Sequence, residues 1–158
     1  MIFPNDRQFH IFPSPVGLRN YIQYYNVVFP KSDTFAARYT LMPNACGTLS
    51  LAFDGTAVAA ELWGASISPV LLGAEPNRYQ VLLLISLSPY GLYQITRQSQ
   101  AALAGKRLSL ADIDSALFAS LHQAFVRAKT TAELVQRCEK ILYERMERPV
   151  VSDALLLA

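Results

Sequence analysis

The chain has 158 residues, of which 52% are hydrophobic and 16% charged, the length and apolar content of one compact domain with a sizeable core. Its formal charge of +2 comes from 14 basic and 12 acidic residues scattered along the sequence, so no basic block marks a phosphate-binding face. Cys46 and Cys138 are too few and too far apart for a disulfide framework or a zinc site, and they read as free thiols of a reducing cytoplasm.

Residues 1–10 carry Asp6, Arg7 and His10 among apolar neighbours, which is not the charged-then-apolar layout of a secretory signal. The longest apolar runs, residues 81–85 and 154–158, fall short of the roughly 20 residues a membrane-spanning helix needs. A soluble cytoplasmic protein is expected. All glycines lie at or before Gly105, and of the prolines only Pro149 lies beyond Pro89, so a turn-rich part precedes a helical one. In the first part, runs rich in β-branched and aromatic residues alternate with breakers and predict strands over residues 21–29, 35–42, 48–53, 56–64 and 80–88. Leu49, Leu51 and Phe53 alternate with Thr48, Ser50 and Ala52, and Asp54-Gly55 follows as a hairpin turn. Residues 81–85 are apolar on both faces, as in a strand covered by an interior on one side and by a helix on the other.

The period then changes. Ile113, Leu117, Leu121 and Phe125 recur every four residues, with Phe118 and Ala124 widening the stripe, and predict an amphipathic helix over residues 111–129. Thr130 with Glu133 forms a capping box at the start of a second helix. That helix buries Leu134, Cys138, Ile141, Leu142 and Met146, turns Arg137, Glu139, Lys140 and Glu144 to solvent, and stops at Pro149. So short a link implies an antiparallel hairpin whose apolar faces pack on the sheet or on a second subunit. The expected fold is α+β: an antiparallel cupin-like β-barrel or sandwich followed by an antiparallel pair of α-helices.

Catalytic chemistry finds little support. His10 and His122 lie in unlike segments and would leave most of a metal's coordination shell unfilled, so neither a metal nor another cofactor is expected. No Gly-x-Ser-x-Gly elbow, phosphate loop or dinucleotide fingerprint occurs, and Cys46 reads as a small buried residue rather than a nucleophile. A binding site is better founded, because the turn-rich part is dense in side chains with an apolar body and a polar tip: Tyr21, Tyr24, Tyr25, Tyr39, Trp63, Tyr79, Tyr90 and Tyr93. The plainer alternative for each is ordinary core or rim. Trp63, the single tryptophan, precedes Gly64, where another backbone or a ligand can approach closely. Ser86 and Ser88, at alternate positions of one apolar strand, present hydroxyls to one face, where they either orient a ligand or satisfy backbone groups. The candidate ligand residues are therefore Tyr39, Trp63, Ser86, Ser88 and Tyr90. Leu121, Phe125, Leu134 and Ile141 are the candidates for a homodimer contact.

The order of these pieces, over nearly the whole chain, resembles the N-terminal domain of AraC-family transcription regulators with a divergent cupin-like barrel. The matching stretches are Leu18-Arg19-Asn20-Tyr21-Ile22-Gln23-Tyr24-Tyr25, Met42-Pro43-Asn44-Ala45-Cys46-Gly47-Thr48-Leu49-Ser50-Leu51, Trp63-Gly64, Leu87-Ser88-Pro89-Tyr90-Gly91-Leu92 and Leu108-Ser109-Leu110-Ala111-Asp112. Asn26 stands where the family often has tryptophan, and Ser88 where it often has an arginine, so recognition of an anion by that arginine does not carry over. The resemblance implies a domain of residues 1–148 that binds a small-molecule effector and dimerises. Residues 149–158 then read as a linker and the capped start of a helix that opens a DNA-binding domain. DNA would be contacted only through that further domain.

Overall fold

Alternation of apolar and polar side chains makes strands of the first half of the chain, and a period near four makes helices of the second. The computed structural model describes residues 8–147. Its strands are β1 (Phe9–Pro13), β2 (Ile22–Val28), β3 (Thr40–Leu41), β4 (Gly47–Phe53), β5 (Val58–Trp63), β6 (Val70–Leu71), β7 (Val81–Leu87) and β8 (Arg107–Ser109). The helices are α1 (Pro89–Thr96), α2 (Gln100–Leu103), α3 (Leu110–Ile113), α4 (Ser115–Arg127) and α5 (Thr131–Met146). The α+β class is as expected. Residues 148–158, on which the expected linker, the Pro149 stop and the start of a further helix fall, lie outside the described residues.

Six strands form one antiparallel sheet in the order β1-β2-β7-β4-β5-β8, and β3 pairs with β6 in a small second sheet. The six-stranded sheet runs from edge β1 to edge β8 without closing, so the expected barrel is an open sheet with a small companion. Asp54 shapes the β4–β5 hairpin: its Oδ1 accepts from the Thr56 and Ala57 amides at 2.9 and 3.0 Å, and Gly55 takes a φ of 103°. The strand expected over residues 35–42 shrinks to β3. The chain turns over residues 36–39, where the Tyr39 amide donates to the Ala36 carbonyl at 2.9 Å, and just before it Asn77 holds the backbone: its Oδ1 accepts from the Phe35 amide at 2.9 Å and its Nδ2 donates to the Phe35 and Ser32 carbonyls at 2.8 and 3.0 Å. Backbone groups that would otherwise need a strand partner are met by one side chain.

The main core lies between one face of the sheet and the helices. Leu49 and Leu51 of β4, Leu62 of β5, and Leu83, Ile85 and Leu87 of β7 meet Leu92 and Ile95 of α1, with Leu121 and Phe125 of α4 and Leu134, Cys138 and Leu142 of α5. Each of those sheet residues is at most 1% exposed. Three of the four residues expected at a dimer contact are therefore already used: Leu121, Phe125 and Leu134 are buried in the chain's own core, and Ile141 is partly buried against it. A second subunit cannot reach the first three without unpacking the helices from the sheet, which corrects that expectation.

The helix expected over residues 111–129 is broken at Asp114, whose φ of −150° and ψ of 88° interrupt it. Its carboxylate accepts from the Leu117 amide at 2.9 Å and meets Arg145 of α5 at 3.1 Å, so one acid caps α4 and ties it to the end of its neighbour. The second cap is as read from the sequence: Thr130 Oγ1 accepts from the Glu133 amide at 3.1 Å. The Glu133 carboxylate reaches back to the Lys129 amide at 2.9 Å, one residue before the cap.

Candidate functional site

The face of the sheet turned away from the helices carries the site. Strand alternation places Tyr24 and Asn26 of β2, Thr48 and Ser50 of β4, Glu61 and Trp63 of β5, and Leu84 and Ser86 of β7 on that face. Register aligns them in rows. Tyr24, Ser86, Thr48, Trp63 and Arg107 stand side by side across the strands, and so do Asn26, Leu84, Ser50 and Glu61. Leu41 of the small sheet and Phe35, Tyr39, Leu72 and Tyr79 from the segments flanking it come in as walls. The result is a cavity of about 320 Å³ with an aromatic wall and a hydroxyl-bearing floor.

Three of the predicted ligand residues meet here: Tyr39, Trp63 and Ser86. Tyr39 packs edge-on against Phe35, with ring centres 4.8 Å apart. Ser86 is buried and donates to Gln23 Oε1 at 3.0 Å, and Gln23 in turn donates to Cys46 Sγ at 3.1 Å. The other two belong elsewhere. The strand ends at Leu87, and the Ser88 hydroxyl caps α1, accepting from the Gly91 amide at 3.0 Å and donating to the Asn20 carbonyl at 2.6 Å. Tyr90 lies in the first turn of α1, half exposed, stacked on Tyr21 at 5.3 Å. Pro89 explains both: it suits the first position of a helix, so the chain leaves the sheet one residue before Ser88 could enter it.

Charge at the cavity is balanced locally. Glu61 holds Arg107 at 2.8 Å, and the Arg107 guanidinium lies 4.1 Å above the Trp63 ring. Glu75 holds Arg78 at 3.5 Å, and Arg78 lies over the Tyr79 ring at 4.8 Å while donating to its hydroxyl at 2.7 Å. Each carboxylate at the cavity thus has its own arginine, and each arginine its own aromatic ring. Two polar atoms of lining residues, Trp63 Nε1 and Asn26 Oδ1, are shut off from water and have no hydrogen-bond partner.

Sequence reasoning missed Asn26, Glu61 and Arg107. A signal existed for the first two, because each stands two residues from an aromatic already singled out, Tyr24 and Trp63, on the same strand face. Arg107 had none, since three-residue β8 is too short to show a period. Gly64 serves the fold: the Leu103 carbonyl lies where a Cβ would stand, and the Gly64 amide donates to the Lys106 carbonyl at 2.9 Å. His10 and His122 stand apart, on β1 and α4, and the described residues contain no cluster of three or more metal-ligating side chains. No helix among them is long and apolar enough to cross a membrane. Searches of family models, curated proteins and solved structures find no match to this chain.

Proposed function

We propose that the chain is the effector-binding regulatory domain of a cytoplasmic transcription regulator, with the divergent cupin-like character of the AraC-family domains it resembles. A small apolar or aromatic molecule enters the cavity and changes how the helices at the other face are held, and DNA is contacted only by a further domain. The observation that carries this reading is the cavity itself, where Tyr39, Trp63 and Ser86 converge from three separate segments. Its volume lies at the lower end of those that hold small organic ligands, roughly 300–1,000 Å³. Two routes lead from the cavity to the helices. On β2, Tyr24 and Asn26 line the cavity while Tyr25 and Val27 pack in the helical core. On β8, Arg107 lines the cavity and the chain passes through Ser109 directly into α3 and α4.

A homodimer belongs to this reading, formed through a surface other than the buried helix stripe. A ligand-free scaffold for a protein partner is the second reading; it calls for a filled interior beside Trp63, and the cavity there speaks against it. The test is a thermal-shift screen of small organic molecules on the folded domain. At least one compound should raise the melting temperature, and Trp63→Ala or Ser86→Ala should cut that rise by half or more. A broad library without a single stabilising member would overturn ligand sensing.

A further inference from the structure

The cavity has two unlike ends. Where β5 meets β8 it carries Glu61 and Arg107, with Ser50 of β4 opposite Glu61 and Thr48 opposite Trp63. Two strands further on, Leu82 and Leu84 of β7 pack with Phe35, Tyr39 and Tyr79 into an apolar wall. Of the two ion pairs at the cavity, only Glu61–Arg107 has both members in its lining. Their closest contact, Arg107 Nε to Glu61 Oε2 at 2.8 Å, leaves capacity on each. A guanidinium carries more N–H donors than one carboxylate oxygen takes, and a carboxylate more lone pairs than one N–H fills. Neither side chain has another ionic partner among the described residues, and at 43% and 35% exposed both can be reached from solvent. The Trp63 ring, 4.1 Å below the guanidinium, holds Arg107 in place.

A simple anion would gain Arg107 but lie beside Glu61. A simple cation would gain Glu61, or the faces of Phe35 and Tyr39, over which no guanidinium of the described residues lies, but it would meet Arg107. Opposite charges carried on one carbon atom answer both partners at once, and neither Glu61 nor Arg107 is left with an unmatched neighbour. A ring attached to that carbon reaches the apolar wall, where it leaves water without desolvating a charge. Resting on the effector reading above, we infer that the ligand is a free α-amino acid with an aromatic side chain. Its carboxylate meets Arg107, its ammonium meets Glu61, and its ring lies against the apolar wall.

The probes are L-phenylalanine, hydrocinnamate, which lacks the ammonium, phenethylamine, which lacks the carboxylate, and L-alanine, which lacks the ring. Each is titrated into the folded domain and followed by calorimetry and by the fluorescence of Trp63, the single tryptophan. Phenylalanine should bind at least tenfold more tightly than any of the other three. That comparison is made on the natural chain and depends on no variant. In Glu61→Gln the advantage over hydrocinnamate should vanish while the advantage over phenethylamine persists, and in Arg107→Met the reverse should hold. A merely structural ion pair would instead lower every affinity together, and that result would overturn the assigned roles. Binding of hydrocinnamate, phenethylamine or alanine as tight as that of phenylalanine would overturn the class. If none of the four binds but the wider screen yields a stabilising compound of another kind, the class is wrong and effector sensing stands. If nothing binds in either experiment, both fall.

Discussion

Tyr25 is fully buried on the helical side of β2, and its hydroxyl has no hydrogen-bond partner. Burial first, and then the neighbouring Glu139 and Cys138, hold its ionisation far above the ordinary tyrosine range. Burial likewise pushes the Cys138 thiol up to about 12, so Cys138 is a packing residue rather than a nucleophile. Because an unmet buried hydroxyl destabilises a fold, Tyr25→Phe should raise stability by about 1 kcal/mol in urea denaturation. A loss of stability would show that the hydroxyl makes a contact in solution. Asp54 offers a test of sign. The Ala57 amide first, then the Thr56 amide and hydroxyl, lower its pKa from 3.8 to about 2. A carboxylate depressed by folding contributes stability that is fully present above its unfolded value and is lost as pH falls through the folded one. Stability measured between pH 3.8 and about 2 should therefore fall with acid less steeply in Asp54→Asn than in the natural chain. Identical slopes would contradict the turn geometry.

Among the elements, the helical hairpin shows most clearly where local sequence stops being informative. The capping box at Thr130 and Glu133 is a contact between near neighbours, so its residue types announce it. The break at Asp114 lies inside an unbroken apolar period, and beside its local cap on Leu117 the aspartate meets Arg145, 31 residues further along. Both partners are about one-fifth exposed, at 20% and 21%, so the pair is partly screened. Asp114→Ala should cost about 2 kcal/mol in chemical denaturation, roughly half from the lost cap and the rest from the ion pair. Asp114→Asn, which retains a capping oxygen and loses only the ion pair, should cost about half as much. Equal losses would mean that the cap contributes nothing. The same distinction separates β4–β5, announced by Asp54-Gly55, from residues 35–42, where a turn at residues 36–39 replaces the expected strand and the Asn77 side chain, 42 positions away, takes the Phe35 backbone groups.

At the level of the domain, the open sheet sets two interiors back to back, an apolar one against the helices and an aromatic, hydroxyl-lined one on the other side. The helix stripe belongs wholly to the first. Leu121→Ala should therefore lower stability by about 2–5 kcal/mol, the range for emptying a buried leucine site. The loss should be the same at low and high protein concentration, with no change in molecular mass by light scattering. A loss that grows on dilution would return Leu121 to a subunit contact.

Periodicity, caps and turn chemistry are properties of neighbouring residues, and they were enough to read the α+β class, the β4–β5 hairpin, the cores of β2 and β7 and the helical pair. They also singled out Tyr39, Trp63 and Ser86, because bulk and a polar tip are visible in a side chain wherever it lies. Strand order was not visible. Which residues stand beside Trp63 depends on β8 pairing with β5 and β7 lying between β2 and β4, contacts between segments far apart in the chain. Only that pairing brings Arg107 over Trp63, sets Asn26 in line with Glu61, and removes Ser88 and Tyr90 from the cavity, since side-chain neighbours across a sheet follow from register and not from position along the chain.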